Sequence, residues 1–122
     1  MLALTRGLRG LGVVAGDRVV LHLGWLPETV VAMLACARIG AVHTIIPTPL
    51  PAEALAHRLE DLTPRILFTQ DGAWRRGAVL PLKTLADEAL SAVAGVGVEQ
   101  TIVVRRTGMD VSWYEGDRWY HD

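Results

Sequence analysis

The side chains best suited to chemistry in this sequence are basic and adjacent: Arg75 and Arg76 in "DGAWRRGAVLPL", with Trp74 beside them. Guanidinium groups meet phosphate oxygens through paired N–H donors, and an indole can stack on a nucleobase. Two adjacent arginines are by default a solvated surface pair, so position decides between the readings. These follow "RILFTQ" (65–70), a strand-like run, and the carboxyl end of a strand in a parallel sheet is where ligands usually sit. A second candidate follows another apolar run. In "IIPTPLP" (45–51), Thr48 offers a hydroxyl and an N–H, whereas Pro47 and Pro49 fix φ and remove amide donors.

Other chemistries lack their constellations. The glycines of "GLRGLG" (7–12) and "GVG" (95–97) lead into strands, whereas a phosphate-binding turn must follow a strand and open a helix. Asp71 in "FTQDG" could suggest a phospho-acceptor, but the first strand ends in "HLGW" without a carboxylate, and Asp-Gly is first a turn signal. The serines, Ser91 and Ser112, stand in no nucleophile elbow. Cys36 sits among apolar helical residues, where a thiol is inert. His22, His43, His57 and His121 have no ligand spacing with Cys36, and His57 with Asp61 reads as a solvated helical pair. No catalytic residue and no metal site emerge.

The elements that must position Thr48, Trp74, Arg75 and Arg76 alternate regularly. "RVVLHL" (18–23), "AVHTII" (41–46), "RILFTQ" (65–70) and "TIVVRR" (101–106) are short, β-branched and bounded by turn formers, as strands are. Their near-continuous apolarity suits a sheet covered on both faces. "PETVVAMLACARIG" places Pro27 in the first turn, Arg38 in the last and Gly40 at the stop, which predicts a helix buried on most of its circumference. "PAEALAHRLEDL" carries one stripe of Ala54, Leu55, Leu59 and Leu62, and "PLKTLADEALSAV" a stripe of Leu82, Leu85, Ala89 and Leu90. With a short amphipathic helix over Leu2–Leu11, the order is β-α-β-α-β-α-β. This predicts an α/β fold with a parallel, Rossmann-like or flavodoxin-like sheet and right-handed crossovers. "AGVGV" (94–98) reads as a glycine-rich connection.

The sequence predicts one α/β subdomain over 1–106 and an aromatic-rich tail over 107–122, with Trp113, Tyr114, Trp119 and Tyr120. Aromatics at that density pack against something, so the tail is expected to meet the remainder of a larger protein or another subunit. At 122 residues and 51% hydrophobic, the chain is one domain or a piece of one, and it can bury a core. Twelve Lys and Arg against 13 Asp and Glu give no bulk field for nucleic acid or an anionic membrane. The longest uncharged stretch (39–52) is broken by prolines and predicts no membrane span. A single cysteine and the lack of a signal peptide pattern fit a cytoplasmic location.

The run "GDRVVLHLGWLPETVVAMLACARIGAVHTII" resembles the acetyl- and propionyl-CoA synthetases of the adenylate-forming superfamily, most closely at "PETVVAMLACARIGAVH". The likeness continues through "AEALAHRLED", "RILFTQDG", "VLPLK", "VEQTIVVRRTG" and "WYEGDRWYHD", nearly the whole chain. It implies an N-terminal-domain fragment of an enzyme that joins a carboxylic acid to coenzyme A through an acyl-adenylate, using ATP and Mg²⁺. The family's Ser/Thr/Gly-rich ATP loop, acyl pocket and mobile C-terminal domain are expected after the segment seen here. The lone chain is therefore expected to be inactive and to bind neither CoA nor ATP/Mg tightly. A stand-alone CoA- or nucleotide-binding module and a truncated interaction protein are the alternatives.

The resemblance also places part of the CoA site here. Relatives carry an "FGGF"-like stretch where this chain has Pro47, Thr48, Pro49 and Leu50, and two basic residues after the third strand. Arg75 matches the first of these, the second falls on Ala78, and Arg76 is the available substitute. The resemblance thus implies that one local CoA contact survives at the sheet's carboxyl edge, Arg75, with Arg76 as a substitute for the second. It also implies that the loop holding Thr48 is a rigid connector with a weakened or lost CoA role. Trp74 joins the candidate site from its place beside the arginines.

Overall fold

The computed structural model describes residues 2–93 and 97–121. Residues 94–96, which hold most of the expected glycine-rich connection and two residues of "GVG", lie outside them. The described elements run α1 (Leu2–Gly10), β1 (Arg18–Leu21), α2 (Pro27–Ile39), β2 (Val42–Ile45), α3 (Ala52–Leu62), β3 (Ile66–Gln70), β4 (Ala73–Arg75), β5 (Ala78–Leu80), α4 (Leu82–Ala92), β6 (Gln100–Val104) and β7 (Asp117–Trp119).

Five strands form one sheet in the order β2-β1-β3-β6-β7, with every neighbouring pair parallel. Leaving out the small β4–β5 ribbon, this is the doubly wound 2-1-3-4-5 arrangement, whose order reverses between β1 and β3. Strand alternation divides the core. Val19, Leu21, Ile66, Phe68, Ile102 and Val104 face α1 and α2, meeting Leu8, Ala32, Ala35 and Cys36. Val20 and Leu67 face α3 and α4, meeting Leu55, Leu59, Ala86 and Ala89. The cysteine is fully buried and burial pushes its thiol up to about 11, so it stays protonated at neutral pH.

The helix ends follow local chemistry. Pro27 opens α2, where a missing N–H costs nothing, and Gly40 closes it in the left-handed region at φ 86. Pro51 precedes α3, its carbonyl accepting the N–H of Leu55 at 3.0 Å. Gly40 is also crowded: a Cβ there would meet the Ala15 side chain at 3.2 Å.

Three features depart from the sequence expectation. α2 is not buried on most of its circumference, because only Thr29, Ala32, Ala35 and Cys36 are buried and Val30 and Leu34 are each about half exposed. The stretch after β3 is not a plain loop but a hairpin, with Arg76 and Gly77 both at positive φ between the paired Arg75 and Ala78. That is the two-residue turn whose twist suits a hairpin, but with arginine where asparagine or glycine is usual. Finally, 107–121 is not an appendage to the sheet, since β7 hydrogen-bonds alongside β6 as its fifth strand.

Candidate functional site at the carboxyl edge

All five strands end on one edge, and a network of buried polar side chains holds the loops that leave it. Gln70, last in β3, accepts the Gly24 N–H at 2.8 Å and donates to the Gly72 carbonyl at 2.9 Å. One amide therefore spans the turns after β1 and β3, at the point where strand order reverses. The buried Thr29 hydroxyl donates to the Gly24 carbonyl at 2.6 Å, tying the start of α2 to the same turn.

Asp71 performs the same service between β3 and β6. Its carboxylate accepts the backbone N–H groups of Gly72 (2.7 Å), Arg106 (2.8 Å), Thr107 (3.0 Å) and Gly108 (2.8 Å). Burial pushes its carboxyl upward, but these four donors prevail and hold it below the ordinary aspartate value. The Asp-Gly turn expected from sequence is present. The three longer-range bonds are what sequence reading missed, and no local signal encodes them.

His22 lies one residue past β1 and is fully buried. Its Nδ1 is 3.0 Å from Thr69 Oγ1, while Nε2 has no hydrogen-bond partner. Burial lowers its pKa to about 4, only partly offset by the nearby Thr48 backbone, so the ring is neutral at pH 7. His22 therefore underlies the 47–51 loop as a packing group rather than an acid or base.

The four candidate residues fall into two groups. Thr48 and Pro47 line a cleft of about 270 Å³ between the ends of β1 and β2, with Leu23, Gly24, Trp25 and Thr29. Trp74, Arg75 and Arg76 lie on the β4–β5 hairpin and do not line that cleft. All three are exposed, and neither arginine forms an ion pair among the described residues. Successive residues of a strand point to opposite faces, so Trp74 and Arg75 project from opposite sides of the ribbon.

The residues present meet the needs of CoA in part. Exposed arginines without acidic partners suit phosphate oxygens, whereas Pro47 and Pro49 offer no amide to a ligand lying along 47–50. No group of three His, Cys, Asp or Glu that could hold a metal ion occurs among the described residues. At the opposite, amino edge a cleft of about 360 Å³ is lined by Asp87, Glu99, Glu115 and Asp117, of which Asp87 and Asp117 pair with Lys83 and Glu99 with Arg65.

Behind β6 sits a second buried charge. Lys83 Nζ is fully enclosed, bonded to both Asp87 carboxylate oxygens at 2.7 Å, Asp117 Oδ2 at 2.9 Å and the Ser112 carbonyl at 3.0 Å. The rings of Tyr114 and Trp113 lie over it at 5.3 and 5.8 Å. Trp119 stacks on Trp113 at 4.5 Å between centroids and takes the Arg105 guanidinium at 4.2 Å. Much of the aromatic cluster is thus engaged within the chain, although Trp113 and Tyr114 stay 42% and 59% exposed. No helix among the described residues is long and apolar enough to cross a membrane.

Comparison with known proteins fits this architecture. The family model "AMP-binding enzyme" matches residues 1–118. An acetyl-coenzyme A synthetase of Mycobacterium tuberculosis is 50% identical over 115 residues, 93% of this chain and 18% of that protein. One from Methanothrix thermoacetophila is 44% identical over 120 residues, covering 98% of this chain and 18% of that protein. The solved structure of an acetoacetyl-CoA synthetase from Streptomyces lividans superposes with a TM-score of 0.84 at 28% identity, over 96% of this chain and 18% of that one. The chain thus spans under a fifth of the length of these relatives, and it belongs to the AMP-binding enzyme family.

Proposed function

We propose that this chain is an N-terminal segment of an AMP-forming acyl-CoA synthetase, of the kind that acts on acetate or propionate. In that reaction a carboxylate displaces pyrophosphate from ATP to give an acyl-adenylate. The CoA thiol then displaces AMP to give the thioester. The observation that carries this reading is identity of about half over nearly the whole chain to proteins named acetyl-coenzyme A synthetase.

Within such an enzyme the segment contributes scaffold and a stretch of the CoA surface. Arg75 and Arg76 at the hairpin tip offer guanidiniums to CoA phosphates, Trp74 a stacking face, and Thr48 a hydroxyl and an N–H beside the cleft. None of these groups can activate a carboxylate, so the 122 residues alone are expected to be catalytically silent, weak in CoA binding and located in the cytoplasm. The test is incubation of the chain with acetate, ATP, Mg²⁺ and CoA while pyrophosphate is measured. No release above background is expected, and clear turnover would overturn this reading.

A second reading is favoured by one observation, the exposure of Trp113 and Tyr114 beside the buried Lys83. By this reading the aromatic surface docks on the rest of a synthetase or on another subunit. Light scattering after size exclusion tests it, since a strictly monomeric profile at high concentration would count against docking between copies.

A further inference from the structure

The sheet ends at β2 on one side, where β1 is its single hydrogen-bonded neighbour among the described residues. Edge strands are usually protected by charge, proline or a bulge. The far edge, β7, carries Asp117 and Arg118, but β2 is Val42-His43-Thr44-Ile45, with no Lys, Arg, Asp, Glu or Pro. The N–H groups of Val42 and Ile46 bond inward, to the carbonyls of Asp17 and Leu21 at 2.8 and 3.0 Å. Strand alternation then turns the N–H and C=O groups of His43 and Ile45 outward, away from β1. Apolar surface accompanies them. Val42 is 55% exposed and Ile45 36%, and α2, which lies over β1 and β2, exposes Val30 and Leu34.

We propose that this edge pairs with the same edge of a second copy of the chain, antiparallel about a two-fold axis. The pairing is self-complementary. With the axis at Thr44, His43 of each copy faces Ile45 of the other, so every outward N–H meets an outward carbonyl. The two Thr44 side chains then lie opposite each other, a favourable cross-strand pair. The helices fit the same symmetry. Strands about 4.8 Å apart set the two α2 helices, each over the outer strands of its own sheet, roughly 10 Å apart, an ordinary packing distance. They run antiparallel, so the Glu28 end of each lies level with the Arg38 end of the other. Neither residue has an ion pair among the described residues. That complementarity of charge, beside a strand with none, favours a second copy over an acidic or basic partner.

The test is sedimentation velocity of the full 122-residue chain from micromolar to millimolar concentration, where a monomer–dimer equilibrium is expected. Ile45→Lys places a charge on the edge, and His43→Pro removes an outward N–H without touching the bonds to β1. Each is expected to weaken the dimer about 10-fold or more, with the circular dichroism melt showing that the variant is folded. Tyr114→Ala, on the aromatic surface, stays within about 2-fold. Amide hydrogen exchange reads the unsubstituted chain, and protection at His43 and Ile45 should rise with protein concentration. A monomer across the whole range would overturn the proposal, as would a dimer that ignores both edge substitutions or is lost with Tyr114→Ala. Protection at His43 and Ile45 that does not change with concentration would also overturn it, because the edge is then covered by something other than a copy.

Discussion

Asp71 and Lys83 are both buried charges, and both secure the crossover between β6 and β7, but by opposite means. Asp71 is an anion with no cation beside it. Four backbone N–H groups replace its hydration, and three of them come from a segment more than thirty residues away. Lys83, the only lysine in the chain, is a cation neutralised by two carboxylates and capped by two rings. The first pins the start of the crossover at the carboxyl edge, where arginines remain free. The second pins its end at Asp117, where β7 begins, and Lys83 itself is neutralised within the chain. The contrast teaches where to look for a ligand. Asp71, satisfied by backbone donors, leaves the nearby Arg75, Arg76 and Arg106 without ion pairs among the described residues, whereas Lys83 is spent within the chain.

The contrast can be broken most forcefully at Lys83. Lys83→Met leaves the partly buried Asp87 and Asp117 beside each other without a counter-charge, and should cost about 2–3 kcal/mol in denaturant unfolding. Limited proteolysis should then cut first within 107–117. Asp71→Ala removes the acceptor of four amides and should cost about 2–3 kcal/mol, with the new flexibility confined to 105–109. Gly72→Ala drives a methyl against Met109, Val79 and Thr107, at about 1.5 kcal/mol by overpacking, and loosens the hairpin from its neighbouring loop.

A finer test is titration of the two aspartates by carbon NMR. Asp71 should titrate below 3.8, held down by its backbone donors against the opposing effect of burial. Asp87 should titrate above 3.8, because burial and the neighbouring Asp117 outweigh Lys83. The signs for stability are opposite. The Asp71 contribution is fully present above the unfolded aspartate value and is lost as pH falls through its lower folded value. The Asp87 contribution is present below the unfolded value and is lost as pH rises through its higher folded value. Both aspartates titrating together near 3.8 would remove the distinction.

What the sequence revealed and what it hid divide along the same line. β1, β2, β3 and β6 were legible because β-branched runs bounded by turn formers need no tertiary context, and the ends of α2 were legible because Pro27 and Gly40 act locally. The hairpin was hidden because Arg76 occupies a left-handed position that asparagine or glycine normally marks. β7 was hidden because its three residues, Asp117, Arg118 and Trp119, carry two charges and no alternation. Lys83 occupies a helical position beside the predicted apolar stripe, and nothing nearby in sequence foretells Asp117 as its partner. Among the candidate site residues, chain order brought Trp74, Arg75 and Arg76 to the carboxyl edge, but only strand pairing separates their faces. Thr48 lies at the same edge on a different loop, backed by His22, whose burial the strand pattern suggested and whose orphaned Nε2 it did not.

The central claim is that the carboxyl edge around β3 and β6 meets the phosphates of CoA while the amino edge does not. Amide NMR of the chain, titrated with CoA to millimolar concentration, tests it most directly. The account predicts weak, saturable shifts at 74–76 and 105–107 with little change at 97–99 and 115–117. Shifts confined to the amino edge, or no shifts at any residue, would contradict it.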